Sequence, residues 1–204
     1  MKKAMYLAIA VLMAIGSTSA AMADIIFSNS STDAMAGSDV TVAPGQTGSI
    51  YVWVSTDVNQ TMTGISFNVL SSVPTVASGI AHTVQNPGPR WSTVQAGSVN
   101  TSGNLLNNHR AFYLPNLTQG SGISTGGLSN FVLHSELSFT ALELGTTELT
   151  LTPTTAGISF LGVGGNQWNN VVKGTGSISA IPEPTAAFVL VLGSAGLLVA
   201  RRRR

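Results

Sequence analysis

The chain contains no cysteine, so disulfides and thiolate metal sites are both excluded. Charge is scarce too, with only 8% of residues Asp, Glu, Lys or Arg. Between Asp24 and Ala180 the basic residues are Arg90, Arg110 and Lys173, against Asp24, Asp33, Asp39, Asp57, Glu136, Glu143 and Glu148, a formal charge of −4. Contacts to phosphate backbones need clustered Lys or Arg, so no nucleic-acid partner is expected. No sustained helical period runs through this body. What it has instead is Ser, Thr, Asn and Gly, with apolar residues at period two.

The two ends read differently from the body. Lys2 and Lys3 precede an apolar stretch from Ala4 to Ile15, and small residues lead to Ala21-Met22-Ala23. This is the order of a secretory signal peptide, residues 1–23, with Ala21 and Ala23 flanking the cut made by signal peptidase and Asp24 as the first mature residue. At the other end, Pro182-Glu183-Pro184 is followed by an apolar run from Thr185 to Ala200 and by Arg201, Arg202, Arg203 and Arg204. As a helix that run would span about 24 Å, less than the ~30 Å hydrocarbon core, so it forms a short transmembrane anchor. The arginines stay cytoplasmic and the body lies outside.

Ile181-Pro182-Glu183-Pro184, the short apolar segment with Gly193 and Gly196, and the terminal arginines together resemble the PEP-CTERM sorting signal of Gram-negative bacteria. The resemblance covers residues 181–204. It implies an exosortase, a membrane-embedded transpeptidase-like protease, as processing partner. It also implies export across the inner membrane, transient membrane attachment, and release to the cell surface or an extracellular matrix containing exopolysaccharide, as in biofilms.

Residues 24–180 suffice for one domain, since a chain of about 150 residues buries ~70% of its unfolded surface. From Phe131 to Ala141, Phe131, Leu133, Leu137, Phe139 and Ala141 alternate with His134, Glu136, Ser138 and Thr140. Similar alternation marks Ile50 to Val54, Ile65 to Val69 and Glu148 to Thr152. Shorter strands are expected near Ile25 to Ser28, Val40 to Val42, Arg110 to Leu114, Ile158 to Leu161 and Gly174 to Ser179. Turns such as Ala43-Pro44-Gly45 and Asn86-Pro87-Gly88-Pro89 separate them. The fold class is therefore all-β, a single antiparallel β-sandwich of cohesin-like or jelly-roll type, helical only in its targeting segments.

The order of these elements resembles cohesin-like extracellular sandwiches over most of residues 38–180. Pro44-Gly45 precedes the strand Ile50 to Val54; Gly64-Ile65-Ser66-Phe67-Asn68-Val69 follows; and Leu137 to Ala141, Leu144-Gly145 and Thr146 to Leu151 form a strand–Gly–strand unit. The stretch from Pro74 to Gly127 departs from the pattern and reads as loop-rich.

No catalytic residue and no cofactor is assigned. His82, His109 and His134 are the three histidines; their spacing shows no ligand pair, and His134 alternates onto the polar face of its strand, as a solvated side chain would. Glu136 and Glu148 read as outward charges that keep a sheet soluble rather than as a glycosidase pair. No G-x-S-x-G elbow seats a nucleophilic serine. Trp91 and Trp168, in turn-rich segments, with Tyr113 as a third member, form a candidate sugar platform, because indole faces stack on sugars while Asn and Gln bond hydroxyls. Trp53 reads as sheet packing. Sequons occur at Asn29, Asn59, Asn100 and Asn116. These features favour a non-enzymatic structural or adhesive module associated with extracellular polysaccharide, with a cohesin-like protein-binding module as the alternative and a secreted hydrolase last.

Overall fold

A computed structural model describes residues 21–85, 90–101, 104–113, 122–154 and 160–182. The expected signal helix up to Ala20 and the sorting segment from Glu183 lie outside the described residues, as do Leu114 and Asn116. Thirteen strands are described: β1 (Ala23–Ser28), β2 (Asp39–Val42), β3 (Thr47–Thr56), β4 (Met62–Ser71), β5 (Ala77–Val84), β6 (Thr93–Gln95), β7 (Ser98–Thr101), β8 (Asn104–Phe112), β9 (Val132–Ala141), β10 (Gly145–Pro153), β11 (Phe160–Gly162), β12 (Val171–Lys173) and β13 (Thr175–Ala180).

They form two sheets. One has the order β12-β1-β3-β9-β5; the other runs β2-β13-β10-β4-β8-β6, with β11 also pairing β4 and β7 also pairing β8. The central pairs are antiparallel, as the alternating segments require, but β1–β12 and β2–β13 are parallel. The apolar faces meet in one core, where Ile50, Ile65, Phe67, Leu137, Phe139 and Leu149 are fully buried. Truncating either of these phenylalanines to alanine would cost about 3–5 kcal/mol.

The stretch Pro74 to Gly127, expected to be loop-rich, contains four strands among its described residues, β5, β6, β7 and β8. β5 escapes the period-two reading because its inward positions include Gly79 and because the register slips at Ile80, from Gly79↔Phe139 to Ala81↔Ser138. Gly79 is required here: a Cβ on it would stand 2.3 Å from the Leu105 carbonyl oxygen, so its absence lets β5 lie against β8.

At its N-terminus, β1 includes both sides of the expected signal-peptidase cut. Ala23 is buried and pairs with Thr56 and Val171, and the Met22 amide donates to the Asn170 carbonyl at 2.9 Å.

Candidate functional site

Three β-bulges lie at or beside the three histidines. A bulge adds one residue to a strand and re-aims the side chains beyond it. In β5 the extra residue is Ile80, two positions before His82. In β8 the register passes from Phe67↔His109 to Val69↔Leu106, so Asn107 and Asn108 oppose Asn68 alone. Asn108 takes φ +57°, and its amide donates to Asn68 Oδ1 at 2.8 Å. In β9 the register passes from Val52↔Ser135 to Trp53↔Leu133, leaving His134 itself as the extra residue.

The result corrects the sequence reading of the histidines. His109 and His134 are fully buried, and their Nε2 atoms are 2.8 Å apart. The ring centroids of His82 and His109 are 4.7 Å apart and those of His109 and His134 5.0 Å. Phe67 packs edge-on against all three, closest to His109 at 4.8 Å. Trp91 stands perpendicular to His134 at 5.8 Å. Strands from both sheets thus bring together residues far apart in sequence, and the bulge turns His134 inward where simple alternation places it outside.

Hydrogen bonding fixes the protons. His82 Nδ1 lies 2.6 Å from the Ala96 carbonyl oxygen and His109 Nδ1 lies 3.0 Å from that of Gln95. A carbonyl only accepts, so both Nδ1 atoms carry hydrogen, and in the neutral rings both Nε2 atoms are bare. His134 Nε2–H then donates to His109 Nε2. This leaves His82 Nε2 and His134 Nδ1 as buried lone pairs without partners, and the Trp91 Nε1–H as a buried donor without one.

Burial holds the rings neutral. Desolvation lowers His82 to about 4, against the bonus of its Ala96 hydrogen bond. It lowers His109 to about 3, with charge on His82 adding to the effect. His134 is pushed well below the ordinary histidine range by its burial, then by its two neighbours and Arg90. The Arg90 guanidinium donates to the Leu133 carbonyl at 2.8 Å. Among the described residues, no group of three or more His, Asp or Glu side chains is placed so that it could hold a metal ion.

The remaining candidates disperse. Trp91 is 2% exposed and Trp168 5%, so neither presents an open indole face. Trp91 packs on His134, while Trp168 lies over Gly162, where a Cβ would meet its Nε1 at 2.3 Å. Tyr113 is half-buried, its amide bonded to the Thr63 carbonyl at 2.8 Å. Trp53 is in the sheet, its Nε1 donating to the Ser30 carbonyl at 3.1 Å. Glu136 accepts from Ser49 Oγ at 2.6 Å on the outer face of one sheet, and Glu148 points outward from the other. The two carboxylates therefore do not flank a common cleft.

No protein family and no curated protein matches the sequence. Solved structures do match the fold. A cohesin module of a family 33 glycoside hydrolase from Clostridium perfringens superposes with TM-score 0.55 at 10% identity, covering 80% of this chain and 99% of that one. The seventh ScaB type I cohesin from Pseudobacteroides cellulosolvens gives TM-score 0.52 at 10% identity over 79% and 93%. A type I cohesin–dockerin complex, Coh-OlpC-Doc435 from Clostridium thermocellum, gives 0.52 at 8% identity over 81% and 99%. The fold is that of a cohesin-like β-sandwich. Identities this low establish the architecture alone.

Proposed function

We propose that the chain is an exported, non-enzymatic cohesin-like module that docks a protein partner through an outer sheet face. The observation that carries this reading is the extent of the match, which covers 99% of the Clostridium perfringens cohesin module. The neighbour from Clostridium thermocellum was solved as a cohesin–dockerin complex, which makes a dockerin-type module the first partner class to consider. The burial of Trp91 and Trp168 removes the residues on which a polysaccharide-binding reading rested. The signal-peptide pattern at the start supports export, and the motif from Ile181 to Arg204 supports exosortase processing and delivery to the cell surface or matrix.

The two outer faces differ. One carries the partly exposed Ile26, Tyr51 and Leu133; the other carries Thr146, Glu148, Thr150, Thr152, Ser177 and Ser179. A photo-crosslinking residue placed at Tyr51 or at Thr150 on producing cells tests the reading face by face. A single protein crosslinked from one face only is the expected result. No crosslinked protein from either face, together with retention of the protein on the cells' own exopolysaccharide, would contradict it.

A further inference from the structure

We propose that the end of the sandwich from which the chain runs into its tail rests on a phospholipid surface. Four large apolar side chains face solvent there, Val73, Leu142, Leu144 and Ile181, each between 41% and 61% exposed. The strand register brings them to one end. Ala180 pairs with Gly145, which sets Ile181 beside Leu144 in the chain path, and the Leu142 amide donates to the Val76 carbonyl at 2.8 Å, in the turn that Val73 opens. Beneath them Val76, Ala141 and Ala180 form a small buried cluster of their own, with Val42 packed against it. The patch therefore sits on a firm base. Of residues 43–46, 73–75, 142–144 and 181–182, which make up this end, only Glu143 is charged. At the opposite end, beyond β3, the exposed Val58 stands between Asp57 and Asn59.

The contact rests on the reading of the tail as a membrane anchor, and the length of the chain then names what covers the patch. From Ile181 to Thr185, where the apolar run begins, the backbone reaches about 14 Å at full stretch. The run is shorter than the hydrocarbon core, so with its arginines at the cytoplasmic boundary Thr185 cannot ride above the outer one. The headgroup layer beyond that boundary is itself roughly 5–8 Å deep. An anchored chain thus cannot hold Ile181 more than about 9 Å from the headgroups, whatever path residues 182–184 take. Neighbouring exposed apolar side chains are the usual mark of such a contact. This end carries no Lys or Arg, so attachment is by apolar insertion and needs neither anionic lipid nor low salt. Standing on this end, the domain turns both outer sheet faces sideways and leaves them open to a protein partner.

The chain has no cysteine, so a single thiol label can be placed at will. The test reconstitutes the full chain into phosphatidylcholine vesicles with an environment-sensitive fluorophore on Leu144→Cys or on Val58→Cys, both exposed positions, which the length of β3 keeps about 30 Å apart. The expected result is flotation with the vesicles and, for the Leu144→Cys label alone, blue-shifted emission that headgroup-nitroxide lipids quench and high salt leaves unchanged. Flotation with neither label quenched would overturn the contact and leave the anchor standing. Equal quenching of both labels would overturn it too, because the domain would then lie on its side. Failure to float would overturn the anchor reading and the contact with it. A blue shift at Leu144→Cys that grows with protein density and escapes lipid quenching would contradict the proposal by assigning the patch to a second copy of the chain.

Discussion

His134 donates from Nε2 to Nε2 of His109 across 2.8 Å, although the two residues belong to different sheets of the sandwich. The contact couples the sheets through a neutral hydrogen bond in an apolar setting, and it is lost once both rings carry a proton on each nitrogen.

Acid should therefore weaken the fold in a defined window. His82 and His109 are lowered to about 4 and about 3, and His134 is lowered as well. Between the ordinary histidine value near 6.5 and those lowered values, the unfolded chain binds protons that the folded chain refuses, so stability rises with pH across that range. It is full above about pH 6.5, falls on acidification, and levels off near the folded values. Urea melts at pH 7 and pH 5 should show a lower midpoint at pH 5, and His82→Gln should reduce the difference.

Trp91 behaves as core. Trp91→Ala should cost about 3–5 kcal/mol of unfolding free energy, because it empties a buried site against His134 and leaves a cavity. Chemical denaturation measures this directly. An exposed sugar-stacking tryptophan would give a change within about 0.5 kcal/mol.

The bulge in β8 depends on Gly97 as its neighbour. Gly97 has φ +88°, and a Cβ there would stand 2.5 Å from the Asn107 carbonyl oxygen and 2.9 Å from the His109 amide nitrogen. Gly97→Ala should destabilise the protein by about 1–3 kcal/mol, whereas Asn108→Gly, at φ +57°, should be close to neutral. Paired denaturation midpoints check both.

Glu136 and Glu148 should be dispensable for the fold's integrity to different degrees. Glu148→Gln should change stability by less than about 0.5 kcal/mol, while Glu136→Gln weakens the charge-assisted bond from Ser49 and should cost up to about 1 kcal/mol. The same denaturation series separates them.

Much of the sandwich was legible in the sequence. β3, β4, β9 and β10 declare themselves by alternation, because each buries one face against the opposite sheet. β5 did not, since Gly79 and Ala81 give no apolar signal and Ile80 is bulged outward at 48% exposed. The histidine cluster was hidden for a related reason. Counting by twos from Leu137 puts His134 outside, and a single inserted residue inverts that parity. One trace of it was present: the apolar series Leu133, Leu137, Phe139 skips Ser135, the inward position next to the bulge. The buried state of Trp91 and Trp168 had no such trace, because turn-rich flanks mark the chain path and leave open the direction of the ring.

Imidazole nitrogen chemical shifts measured by long-range ¹H–¹⁵N correlation at pH 7, followed down to pH 5, test the histidine cluster most directly. The account predicts three neutral rings, with His82 and His109 protonated on Nδ1 and His134 on Nε2, and none titrating near 6.5. Histidines that titrate independently near 6.5 would contradict it, since they would be separate and solvated.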